Sequence, residues 1–217
     1  AYVAADTPDG NFGNEVDLRV RDDPPTVRNS YLKFVVTGLI RPVLSATLRA
    51  YVIDAGVDAG TIYQVSNNYI GTVTPWVEGG ITWNNAPLIE GTPLTVGGAA
   101  SLDTWLEFDV TDAVTGNGTF SFAITNDSTN AVWYNSAEAA TNQPHLIIIE
   151  QPPPSSTPTR TPTPSNTPTA TATPTPGGPP TNGGIVVCNS GASQVTTIDC
   201  GPIASGTNQL IVVTVIE

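Results

Sequence analysis

The stretch Leu44-Ser45-Ala46-Thr47-Leu48-Arg49-Ala50-Tyr51-Val52 alternates without a break. Leu44, Ala46, Leu48, Ala50 and Val52 fall on one side, and Ser45, Thr47, Arg49 and Tyr51 on the other. Successive side chains of extended backbone point to opposite faces, so a period of two marks a half-buried strand. The same period recurs outward from this stretch. Leu32, Phe34 and Val36 share a face within Tyr31-Leu32-Lys33-Phe34-Val35-Val36, Leu106, Phe108 and Val110 repeat the pattern, and so do Phe120, Phe122 and Ile124. His145 to Ile149 closes the series with an apolar run. Gly, Pro and Asn clusters separate these runs, and no 3.6-residue stripe is sustained. One helical hint interrupts them, Asp109-Val110-Thr111-Asp112-Ala113-Val114, where an N-cap residue precedes a short turn. Eight or more strands in 150 residues predict an all-β fold, a two-sheet sandwich or a barrel.

Charge divides the chain further. Of 217 residues, 19 are acidic and 7 basic, a net charge of -12. Residues 1–150 hold 17 of the acids and 6 of the bases. An acidic body excludes nucleic acid and anionic membrane surfaces, which require a basic face to displace counterions. No apolar run approaches the roughly 20 residues that span a bilayer, so membrane insertion is not expected. Only 12% of residues are charged, while Ser, Thr, Asn and Gly supply most of the polarity, a composition expected of an exported protein. The chain has no Met, and Ala1-Tyr2-Val3-Ala4 is expected to follow a removed signal peptide, which predicts an extracellular or cell-surface location.

Residues 151–182 form a Thr-Pro repeat whose prolines remove backbone donors and favour polyproline II. Such a segment predicts a semi-rigid linker of about 3.1 Å per residue. Its threonines, among them Thr157, Thr159, Thr161, Thr163, Thr167 and Thr169, are candidate O-glycosylation sites. Residues 183–217 carry three strand-like runs, too few residues to bury a core alone. Cys188 and Cys200, with no other cysteine in the chain, are expected to form one disulfide that staples this tail. Leu210, Ile211, Val212, Val213, Val215 and Ile216 belong to an uncharged, β-branched run. Such a strand must be completed within its own molecule, aggregate, or be donated to a neighbouring subunit as an added strand. Repeated head to tail, donation generates an open polymer.

Several phrases of the first 150 residues resemble the DNRLRE-domain family of secreted bacterial modules. They are Asn11-Phe12-Gly13, Arg28 to Phe34, Ser45-Ala46-Thr47-Leu48-Arg49, Trp76-Val77-Glu78 with Ile81-Thr82-Trp83-Asn84-Asn85-Ala86-Pro87, Phe108-Asp109-Val110-Thr111, and Ser136-Ala137-Glu138 before Pro144-His145-Leu146. The resemblance implies a jelly-roll-like two-sheet β-sandwich, appended by linkers to enzymes or surface proteins. Some relatives bind carbohydrate, including the polyanion alginate. Where the family usually has Ser-Arg-Glu this chain has Ser136-Ala137-Glu138, which removes a base able to pair with a carboxylate. The tail resembles the closing part of an immunoglobulin-like conserved repeat of bacterial surface proteins.

Candidate sites follow from the side chains available. Aromatic residues that could stack on sugars are Trp76, Trp83, Trp105, Trp133, Tyr2, Tyr51, Tyr63, Tyr69 and Tyr134, of which Trp76, Trp83, Trp133 and Tyr134, with Arg49, are the expected glycan contacts; the alternative for each aromatic is core packing. Arg19, Arg21, Arg28, Lys33 and Arg49 either form one basic patch or make cross-strand pairs. Asp6, Asp9 and Asn11 lie in an oxygen-rich turn that could hold calcium. The alternative there is an Asx turn with Gly10 and Gly13 at positive φ. No other cofactor is expected. Nucleophilic catalysis is disfavoured because His145 is the one histidine. Glu78, Glu107, Asp109 and Glu138 are the carboxylates that a glycoside hydrolase would need to pair. The leading expectation is a non-catalytic extracellular structural protein that self-associates into a polymer through its C-terminal strand. The alternative is a carbohydrate-binding module that displays an aromatic or basic surface to a polysaccharide.

Overall fold

The alternation of Ala46, Leu48, Ala50 and Val52 is realised in one long strand around which a second sheet and most other strands are arranged. The computed structural model describes residues 1–154 and the backbone of a strand at 210–214. The strands are β1 (Tyr2–Ala4), β2 (Asp17–Val20), β3 (Arg28–Val36), β4 (Val43–Asp54), β5 (Thr61–Val65), β6 (Thr95–Val96), β7 (Trp105–Asp109), β8 (Gly118–Thr125), β9 (Val132–Asn135), β10 (His145–Glu150) and β11 (Leu210–Thr214). Among the described residues the one helical element is a 3-10 turn at Glu78–Gly80, which the alternation pattern did not signal.

Two antiparallel sheets result. One has the order β1-β3-β8-β5-β6, and the other β11-β10-β4-β9-β2 with β7 also paired to β4. β7 runs along one side of β4 (Arg49 opposite Glu107, Tyr51 opposite Trp105). β10 lines the first half of its other side (Arg49 opposite His145), and β9 lines its last residues (Asp54 opposite Trp133). Between the sheets lies a continuous core that includes Leu32, Phe34, Ala46, Leu48, Val52, Phe108, Phe122, Tyr134, Leu146 and Ile148. This is a β-sandwich. Leu44 departs from the expected pattern and is 52% exposed. The β10 register skips Leu44, passing from Ile149 opposite Ser45 to Glu150 opposite Val43, and this irregularity turns Leu44 outward while Val43 packs against the core.

A second apolar cluster lies on the far side of the β1-β3-β8-β5-β6 sheet. It joins Ala1, Val3, Tyr31, Val65, Trp76, Ile81, Ala86 and Ala123, with Tyr63, Tyr69, Trp83 and Ile89 packed against it. The connection between β5 and β6 folds over this face and seals it. Trp76 is its anchor. Its indole Nε1 donates to Ser66 O at 3.1 Å, and its ring meets Tyr31 edge-on at 6.3 Å. Tyr31 in turn donates its hydroxyl to Pro87 O at 3.1 Å. Lys33 lies over the Trp76 ring at 3.9 Å and donates to Asn67 O and Trp76 O. Burial with no facing carboxylate lowers the Lys33 ammonium to about 8.

The Asn11-Phe12-Gly13 turn locks the same connection from the other end. Asn11 Nδ2 donates to Glu78 O and Ile81 O at 2.7 Å each. A Cβ on Gly13 would stand 2.5 Å from Glu78 O, so the close approach needs glycine. The positive φ expected of Gly10 and Gly13 is not found; crowding of the backbone, not a left-handed turn, requires the residue. Trp76→Ala should therefore destabilise the domain by about 3–5 kcal/mol, as removal of a large buried aromatic does. Chemical denaturation of the full chain, monitored by tryptophan fluorescence, measures the loss.

Candidate functional site

Interior and exterior aromatics are separated by strand parity. Tyr134 shares the inward phase of Val132 on β9; it is fully buried, and its hydroxyl donates to Ala59 O. Trp76 is 3% exposed under the β5–β6 connection, and Trp83 packs beside it. Trp76 and Tyr134 thus offer no face to a sugar, contrary to expectation. Their large apolar area is what closes the two cores.

The outer face of the β4 sheet carries the opposite parity. Trp105 and Tyr51 stand opposite each other across β7 and β4 and meet edge-on at 5.3 Å. Arg49, two residues along β4, has its guanidinium 4.7 Å from the Trp105 ring centre. His145 on β10 lies nearly parallel to the same indole, 5.5 Å away with 21° between planes. Arg49 Nε stands 3.0 Å from Glu107 Oε1 as an ion pair without hydrogen-bond alignment. Glu107, Arg49 and His145 therefore form one cross-strand row over β7, β4 and β10, with Trp105 laid across it. Burial first, and Arg49 second, lower the His145 imidazole below its ordinary value, so it is neutral at neutral pH. Of the expected glycan contacts, Arg49 alone sits in this row. Trp105 and Tyr51 were legible from parity, since each is out of phase with buried neighbours, Phe108 and Val52 respectively.

A second cluster occupies the same outer face on β9 and β2. The Arg19 guanidinium lies 4.2 Å from the Trp133 ring centre and 4.8 Å from that of Tyr2. Its Nε donates to Asp17 Oδ1 at 2.7 Å. Tyr2 stacks on Phe12 at 4.5 Å. Trp133 and Arg19 face each other in the β2–β9 register.

The single basic patch is not formed. Arg19 pairs with Asp17, Arg21 with Asp23, Arg28 with Asp6 and Arg49 with Glu107, while Lys33 lies under the other sheet's cover. Cross-strand and near-neighbour pairing, the other option, is what the side chains adopt. The oxygen-rich turn is also divided among partners: Asp6 binds Arg28, Asp9 Oδ1 accepts from Asn84, and Asn11 serves Glu78 O and Ile81 O. Among the described residues no group of three His, Cys, Asp or Glu side chains converges as a metal site would.

The four carboxylates do different things. Asp109 accepts from Thr111 N and Oγ1, which lowers its carboxyl below the usual range. Glu78 is ion-paired to the Ala1 amine, and burial raises its carboxyl despite that partner, with Glu138 adding to the rise. Ser136 Oγ lies 2.7 Å from Glu15 O and 2.6 Å from Glu138 Oε2, tying the Ser136-Ala137-Glu138 phrase to the first turn. Glu107 belongs to the outer row.

β11 runs antiparallel to β10 of its own chain, from His145 opposite Thr214 to Ile149 opposite Leu210. The strand expected to be donated to a neighbour is paired at home, and the β10 edge that a neighbour's strand would need is occupied. Val215, Ile216, the two cysteines and the linker threonines lie outside the described residues.

The model of carbohydrate-binding module family 96 matches residues 1–150. That span coincides with the DNRLRE-like phrases. Comparison with curated proteins finds no match.

His145 supplies a pH test of the outer row. An imidazole lowered in the folded state binds its proton more readily when unfolded, so stability holds at neutral pH and declines as pH falls below the ordinary imidazole value of 6.5. His145→Gln should flatten that part of the stability profile relative to the parent chain. Parallel denaturant midpoints between neutral pH and mild acid check the difference.

Proposed function

The chain belongs to carbohydrate-binding module family 96, and from that premise we propose that it is a non-catalytic, extracellular module that holds a neutral polysaccharide on the outer face of the β4 sheet. The observation that carries this reading is Trp105. It lies half-buried on Arg49 and His145 with Tyr51 at its edge, a braced aromatic plate on paired strands. Aromatic faces suit the apolar faces of sugar rings, and Glu107, Arg49 and His145 beside them supply donors and acceptors for hydroxyls. Bracing on a sheet lowers the ordering cost of binding.

Neutral rather than acidic glycans fit the charge distribution. Four of the six basic side chains of residues 1–150 are ion-paired to carboxylates. A polymer carboxylate would have to displace a tethered one of high effective concentration. The body around them is strongly acidic. The alginate preference implied by the family resemblance therefore does not carry over to this surface.

The Thr-Pro linker would hold the module away from whatever carries it, in keeping with export. The polymer reading has no supporting observation, since the strand it requires lies on β10 of the same chain.

Affinity electrophoresis of the full chain in gels containing β-glucan, xylan, galactomannan, alginate or pectate tests this. At least one neutral polymer should retard the chain, and alginate and pectate should not. Trp105→Ala should weaken the retained interaction about 30-fold, roughly 2 kcal/mol, the effect of losing an anchoring aromatic. Glu107→Gln should release the Arg49 charge and raise retention on the acidic polymers. Retention of the parent chain by acidic polymers alone would overturn the neutral assignment.

A further inference from the structure

The β4 sheet presents two aromatic clusters on one face, one centred on Trp105 and the other on Trp133. Trp105 sits beside Tyr51 on the β7 side of β4, whereas Trp133 sits opposite Asp54 on the β9 side. The inward residues Phe108, Val52, Val132 and Leu18 show that Trp105, Tyr51, Trp133 and Arg19 all point away from the sandwich core. Three residues along β4 and two strand spacings across it separate the clusters by roughly 14 Å. No single sugar ring covers that distance.

We propose that Trp133, with the Arg19 guanidinium held between it and Tyr2, is a second sugar subsite, and that the ligand is the interior of an extended glycan lying diagonally across β7, β4 and β9. This inference rests on the carbohydrate-binding reading of the Trp105 cluster and adds the length and direction of the ligand to it. Arg19 is fixed on three sides, by Trp133 at 4.2 Å, by Tyr2 at 4.8 Å and by Asp17 at 2.7 Å. Its charge is compensated, so it presents directed N–H donors and a rigid edge rather than a free cation. The cluster therefore resembles the first: an indole and a paired arginine on hydrogen-bonded strands, here backed by Tyr2, a buried ring on β1 of the other sheet. Both are carried by one sheet through β4, which fixes their separation before any ligand arrives. Once a chain occupies the first cluster, the second contact is intramolecular and gains from effective concentration only if the chain is long enough to reach.

Isothermal titration of the full chain with a ladder of cello-, xylo- and manno-oligosaccharides, from the disaccharide to the hexasaccharide, reads this out. For the series that binds, affinity should step up at the length that first spans the clusters. Trp133→Ala should remove that step, with a loss of at least about tenfold for long oligomers and little change for short ones. Trp105→Ala should weaken every length. Arg19→Ala, which leaves the indole in place, should reduce the step as well, and unchanged unfolding midpoints establish that the variants are folded.

A Trp133→Ala loss that is equal at all lengths, or absent at all lengths while Trp105→Ala still abolishes binding, would overturn the second subsite and leave the carbohydrate-binding reading intact. If no series binds and both tryptophan variants instead abolish self-association in sedimentation, the face belongs to a second copy of the chain and both readings fall.

Discussion

Strand β4 constrains everything else in the molecule. It is bordered by β7 on one side and by β10 and then β9 on the other, so its register sets that of three neighbours. Its inward residues are alternately small and large, Ala46, Leu48, Ala50 and Val52, which lets Phe108, Phe122 and Tyr134 fill the space opposite. Its outward residues include Arg49 and Tyr51. A slip of one residue would send Leu48 to solvent and Arg49 into the core. The requirement that the core close thus fixes, at no further cost, where the candidate sugar platform stands.

The other sheet solves a different problem. Its strands are apolar on both faces, with Phe34 and Phe122 inward and Tyr31 and Ala123 outward. An antiparallel sheet of that kind cannot leave its second face in water. The long β5–β6 connection covers it, pinned by Trp76, by the Lys33 bonds to carbonyls, and by the Asn11 amide. The Trp-x-Glu and Thr-Trp-Asn-Asn phrases are the means of that closure. Trp76, buried in that closure, offers no face to a ligand, while Trp83 is partly buried beside it.

Charge is distributed in a way that bulk composition conceals. The domain is strongly acidic, yet four of its five arginines are matched locally, two of them by a carboxylate two residues away in sequence and one by a carboxylate directly across from it. Exposed pairs of this kind contribute little to stability, about 0–1 kcal/mol. Their larger effect is on recognition: they leave rigid, hydrogen-bonding guanidinium edges against aromatic rings and little free positive charge for a polyanion.

The sequence by itself determined the class of fold, because period-two alternation in residues 32–36, 44–52, 106–110 and 120–124 is a local property of extended backbone that needs no knowledge of neighbours. The same parity was enough to send Trp105 outward from Phe108 and Tyr51 outward from Val52, whereas Tyr134, expected at the glycan surface, went inward with Val132. Only the tertiary structure decided the fate of Trp76 and Trp83, since they lie in a connection with no period, and whether such a residue is covered depends on which sheet face it folds over. The convergence of Arg49, Trp105 and His145 was likewise decided in three dimensions, by the pairing of β4 with both β7 and β10. So was the destination of Leu210–Thr214: its β-branched run demanded a partner strand, and the open side of β10 supplied one.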